Sequence, residues 1–113
     1  MSEALRALES STLRNQITVL RTEYPLRGLS IVDILNRDCS KGHALEQWAT
    51  HRRIPREQVM AIGDNYNDVE MLAFAGLPFI MGNACDELKS NGWRVTASND
   101  ECGVARAVEQ VLG

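Results

Sequence analysis

From Gln58 onward, short apolar runs take turns with amphipathic stretches. "QVMAI", "LPFIM" and "WRVT" have the length and composition of strands. Asp68 to Ala75, about Ala84 to Ser90, and Val104 to Leu112 read as helices. Strands separated by helices cannot pair as tight hairpins. They need crossover connections, and these predict an α/β fold with a parallel sheet. Crossovers are right-handed, so the loops that follow the strands collect along one edge. In open α/β sheets ligands bind outside the carboxyl ends of the strands. Gly63 and Asp64 follow the first of these strands, and Gly82 and Asn83 follow the second, so both pairs are expected at that edge.

Upstream, Ser2 to about Leu20 reads as helical, with Leu5, Leu8, Leu13 and Ile17 at near-helical spacing. "TEYPLRG" breaks the pattern with Pro25 and Gly28, and "LSIVDIL" reads as a strand. Ser40 is a candidate N-cap for a helix from Lys41 to about His51, with Ala44, Leu45 and Trp48 on its apolar face and Trp48 in the core. In the last helix Ala105, Val108 and Leu112 are expected to face inward.

A chain of 113 residues is enough for one domain. Its net charge of -3 argues against a general nucleic-acid binder, because no basic excess exists to neutralise phosphates. Arg52, Arg53 and Arg56 read as a solvated helix end. No apolar run approaches the ~20 residues of a membrane span, and "MSEALRALESS" lacks the apolar stretch of a signal peptide. Cys39, Cys85 and Cys102 form no C-x-x-C pair, and the expectation is free thiols in a reducing cytoplasm.

The chemistry concentrates in "VMAIGDNYNDVEML". An apolar run ends in Gly63, and Asp64, Asn65, Asn67 and Asp68 follow at once. One reading is helix capping, worth about 1 kcal/mol, and Asn67 could supply the cap alone. An EF-hand is excluded: with Asp64 at its first position, Tyr66 takes the third and Val69 the obligatory glycine. No Walker A sequence occurs. The other open reading is a hard-cation site, since Mg²⁺ takes oxygen ligands, one or two carboxylates and substrate phosphate. His43 and His51 read as surface or cap residues. Tyr66 could line an entrance or pack against the sheet edge.

These residues carry a resemblance. "GDNYNDVEML" resembles the fourth motif, G-D-x-x-N-D-x-x-M-L, of the haloacid dehalogenase superfamily in its Cof-type sugar-phosphatase branch. "CSKGHALEQW" resembles the third motif, whose lysine falls on Lys41. "LPFIMGNACDELK" and "VTASNDECGVARAV" resemble the segments after motif four, so the match runs from about Ile31 to Leu112. The resemblance implies a Rossmann-like three-layer core. It also implies a Mg²⁺-dependent phosphatase acting on small phosphorylated substrates, sugar phosphates first, through an aspartyl-phosphate. Asp64 would ligate the metal. Asp68 would ligate it or hold its waters and orient Lys41. Lys41 would neutralise the nucleophile and a phosphate oxygen, and Asn67 would contact substrate or fix the loop.

The sequence departs from the family in lacking its first two motifs: the second motif's Ser/Thr, expected after another core strand before the cap, is missing, and so is the first. None of Asp33, Asp38, Asp64, Asp68, Asp86 and Asp100 is followed two positions later by another aspartate, so the D-x-D motif with nucleophile and acid/base is absent from these residues. Residues 1–35 resemble the tail of an α+β cap domain, a helix and then two strands, and residues 36–113 resemble the C-terminal part of the core. The chain alone is expected to be inactive and to self-associate or join its missing N-terminal half. Two other readings compete: a non-catalytic binding or assembly module, and the phosphorylation domain of a cation-pumping ATPase. The latter fits poorly, because "NDVEML" lacks the expected proline and no membrane spans are present.

Overall fold

The computed structural model describes residues 2–10 and 12–113, with the backbone alone for residues 2, 4, 8, 9, 12 and 13. Helix α1 (Ser2–Ser10) leads through a 3₁₀ turn to strand β1 (Ile17–Tyr24), which pairs antiparallel with β2 (Leu29–Asn36). After helix α2 (Lys41–His51) come β3 (Met60–Gly63), α3 (Val69–Phe74), β4 (Leu77–Ile80), α4 (Asp86–Lys89), β5 (Arg94–Val95) and α5 (Gly103–Leu112). The second sheet has the order β3-β4-β5, and both pairings are parallel. The parallel sheet expected from the alternation is therefore present, with boundaries shifted by a few residues.

Two layers of side chains cover this sheet. Phe79 and Ile80 are adjacent in β4, so they point to opposite faces, and both are fully buried. Ile80 packs with Ala49, Ala61, Leu72 and Leu88, drawn from α2, β3, α3 and α4. Phe79 lies outside that cluster, with the Arg94 guanidinium 5.7 Å from its ring centroid, and Ala107 of α5 is likewise fully buried outside it. Pro78 stands in the central strand, where a missing N–H normally breaks a ladder. It is tolerated because β5 pairs only with Phe79 and Ile80.

Three local expectations are corrected. The first helix stops at Ser10, and Ile17 begins a strand that continues through Thr22 and Tyr24. Ile17, Thr18 and Val19 are β-branched, and a full register with β2 outweighs the weak helical spacing. The side chains of Leu8 and Leu13, which that spacing also used, lie outside the described residues. On α2 the buried residues are Gly42 and Ala49, with Leu45 packed beside them. Ala44 is exposed, and Trp48 is half exposed with the Arg52 guanidinium 5.6 Å from its ring. The face pressed on α3 admits only small residues: a Cβ on Gly42 would lie 2.5 Å from Glu70 Cβ and 2.6 Å from its carbonyl carbon. On α5, Ala105, Val108 and Leu112 are exposed and Gly103 and Ala107 are buried. Gly103 fixes this rotation, since a Cβ there would meet Ala97 O at 2.1 Å.

Candidate active site

Strand β3 alternates half-buried and buried residues and ends on buried Gly63. The chain then passes through Asp64 and Asn65 into a 3₁₀ turn, Tyr66–Asp68, that runs on into α3. Asp68 folds back beneath this turn and is 4% exposed. Its Oδ2 accepts the backbone N–H groups of Asp64 at 3.0 Å and Asn65 at 3.2 Å. Asn65 and Asp68 form a reciprocal capping box. The cap is therefore Asn65, not Asn67, which lies half-buried on the turn. Gly63 is needed because a Cβ there would sit 2.5 Å from Asp68 Cβ.

The other oxygen, Asp68 Oδ1, accepts from Lys41 Nζ at 2.6 Å. Lys41 opens α2, whose N-cap is Ser40 as expected: Ser40 Oγ accepts the His43 N–H at 3.1 Å. Ser40 Oγ also donates to Glu70 on α3. The beginnings of α2 and α3 thus face each other, held close by Gly42. A lysine ammonium gains nothing from a helix N-terminus; the buried Asp68 carboxylate holds it there. The structure brings Lys41 and Asp68 into contact and ties Asp64 to them through its backbone, with the Asp64 side chain exposed at the carboxyl end of β3.

Tyr66 is half-buried and packs against the core. The Arg21 guanidinium lies 3.9 Å from its ring centroid. Its hydroxyl contacts Cys85 Sγ at 3.4 Å and donates to Glu87 Oε2 at 2.7 Å. The hydrogen bond with Cys85, then that with Glu87, then burial hold its phenol well above the ordinary range. Sequence reasoning missed Arg21, Glu23 and Glu70 as neighbours of this corner. None of the three carried a local sequence signal, and Asn65, the residue that caps the turn, was passed over for Asn67.

Among the described residues no group of three or more His, Cys, Asp or Glu converges as a ready-made metal cage. A hard cation that keeps its waters needs less than that. The Asp64 carboxylate offers oxygen to solvent at the strand end. Asp68 carries three hydrogen bonds on a group with about four acceptor sites, which leaves one for a bound water. These oxygens suit a hard cation such as Mg²⁺, for which Asp64 would be the residue free to offer a direct ligand. Two shallow recesses, one reaching Arg14 and Arg37 and the other His43 and Glu46, include none of Lys41, Asp64 and Asp68.

The family model for haloacid dehalogenase-like hydrolases matches residues 6–108. A 5-amino-6-(5-phospho-D-ribitylamino)uracil phosphatase of Bacillus subtilis, YitU, is 39% identical over 80 residues, covering 71% of this chain and 30% of that protein. A chloroplastic endoribonuclease YBEY of Arabidopsis thaliana is 33% identical over 108 residues, 96% of this chain and 18% of that protein. A haloacid dehalogenase-like hydrolase structure from B. subtilis superposes with TM-score 0.81 at 32% identity, over 96% of this chain and 35% of the other. The chain spans about three tenths of the length of the first curated relatives it matches. Among the described residues no helix is long and apolar enough to cross a membrane. The family model spans nearly the whole chain, and the chain belongs to the haloacid dehalogenase-like hydrolase family.

Proposed function

We propose that this chain supplies the cation- and phosphate-binding half of a phosphatase site for small phosphate esters, with sugar phosphates as the favoured class. The observation that carries the reading is the Lys41–Asp68 pair set beside Asp64 at the carboxyl end of a parallel strand. Phosphoryl transfer depends mainly on positioning and on neutralising negative charge. Lys41, half exposed, presents an ammonium to a phosphate oxygen while Asp68 fixes its direction. Asp64 would hold Mg²⁺, which when bound screens the repulsion between phosphate and a carboxylate nucleophile. Asn67 would contact substrate or steady the turn. The nucleophile and acid/base come from a D-x-D segment outside these 113 residues, on the same or a separate polypeptide. Residues 1–35 form the end of a cap domain and residues 36–113 the core. A cytoplasmic setting suits free Cys39, Cys85 and Cys102.

The test is reconstitution. The chain is mixed with the N-terminal part of a related phosphatase carrying D-x-D, and phosphate release from a sugar-phosphate panel is measured with Mg²⁺. Release above either part alone is expected, as is its fall to background with Asp64→Asn. No release from the mixture, together with calorimetric Mg²⁺ binding that Asp64→Ala leaves unchanged, would support the non-catalytic reading that the absent D-x-D favours.

Self-association is part of this proposal. The outer edge of β3 pairs with no other strand among the described residues, and Val104, Val108 and Leu112 leave an apolar stripe on α5. Light scattering after size exclusion is expected to give at least twice the 12.6 kDa chain mass. A monomer at high concentration overturns it.

A further inference from the structure

Asn65 does more than cap a turn. Its Oδ1 accepts the Glu23 N–H at 3.0 Å, and its Nδ2 donates to the Glu23 carbonyl oxygen at 2.8 Å. The same Oδ1 accepts the Tyr66 N–H at 2.8 Å. Two N–H groups on the oxygen and a carbonyl on the nitrogen settle which way the amide faces; turned over, its NH₂ would meet two donors. One group bonding both the N–H and the C=O of a single residue reproduces the hydrogen-bonded pair of an antiparallel ladder. The Asn65 carboxamide stands in for a third strand on the outer edge of β1, 42 residues from Glu23 in sequence.

A second contact reinforces the first. Arg21, two residues before Glu23 on β1, stacks on Tyr66 and lies 3.5 Å from the Glu23 carboxylate. Glu23 in turn accepts from Ser30 Oγ on β2. The hairpin and the acidic turn thus share a continuous polar seam one residue from Asp64.

We infer that Asn65 is a latch that orders the β1–β2 hairpin and the acidic turn as one unit, a positioning residue that sets where Glu23 and Arg21 stand against that turn. The role requires a carboxamide. Aspartate matches asparagine as an N-cap, but it presents an oxygen to the Glu23 carbonyl where the amide presents a donor. The latch rests on geometry alone and stands or falls independently of phosphatase activity.

Site-resolved amide hydrogen exchange on the whole chain, without metal, tests it. Asn65→Asp is expected to speed exchange at Glu23 at least tenfold and leave the Tyr66 amide protected. Asn65→Ala is expected to speed both. The Leu77 and Met81 amides, which bond to Val59 and Gly63 within the parallel sheet, should not change in either variant. Glu23 exchange within threefold of wild type in Asn65→Asp overturns the latch. Uniform acceleration that includes Leu77 and Met81 also overturns it, because the residue then supports the whole fold and not the seam.

Discussion

Replacing Gly63 with alanine is expected to lower stability by about 3 kcal/mol, at the upper end of what overpacking a well-filled interior costs. The added Cβ would lie 2.5 Å from Asp68 Cβ and 2.9 Å from its Cγ and Oδ2. A flexible side chain at the surface would swing aside, but Asp68 cannot. Its Oδ2 holds two backbone N–H groups, its Oδ1 holds Lys41, and its backbone N–H donates to Asn65 O at 3.0 Å. The strain passes instead into β3, whose Gly63 O receives the Met81 N–H at 2.9 Å, and into the turn bearing Asp64. Urea unfolding checks this: the midpoint should fall sharply at an unchanged slope. A loss below about 1 kcal/mol, within the ordinary range for a single substitution, would mean that Asp68 is not clamped as described.

Asp68→Ala is expected to cost about as much, roughly 3 kcal/mol, for a different reason. The substitution strips three hydrogen bonds from a charged acceptor, and bonds of that kind contribute more than neutral ones. The N–H groups of Asp64 and Asn65 then lose their common partner, and the capping box is gone. Lys41 contributes little of the loss, because its side chain is 52% exposed and recovers water. Lys41→Met is accordingly expected to cost less than about 1 kcal/mol. The contrast is diagnostic. If Lys41→Met were as damaging as Asp68→Ala, the ion pair, and not the backbone bonds, would hold the turn. In the reconstituted phosphatase assay the order should reverse in meaning: Lys41→Met abolishes release from a chain that remains folded.

The parallel sheet was legible because periodicity reports burial directly. Alternating strands and helices from Gln58 onward leave few topologies, and the observed order β3-β4-β5 is the simplest of them. The acidic corner was legible because small polar residues after an apolar run contradict the usual preferences of a buried strand end. Helix faces were less legible. Trp48, Val108 and Leu112 were assigned inward by hydrophobicity. The closeness of the packed backbones decided otherwise, and Gly42 and Gly103 set that closeness. Hydrophobic content says how much a side chain gains by burial, not whether the gap will admit it.

Two things about this protein are therefore fixed by local chemistry. One is an α/β chain with a parallel sheet; the other is an oxygen-rich turn at a strand end. Contacts across long sequence separations decided the rest. That Asp68 turns inward to hold its own loop, while Asp64 stays open to solvent, cannot be read from two aspartates four positions apart, and its contact with Lys41, 27 residues away, was implied only by the family resemblance. Nor can the seam from Asn65 to Glu23. A side chain's partners depend on which backbone donors the fold leaves unpaired nearby, and those are set only once the elements have packed.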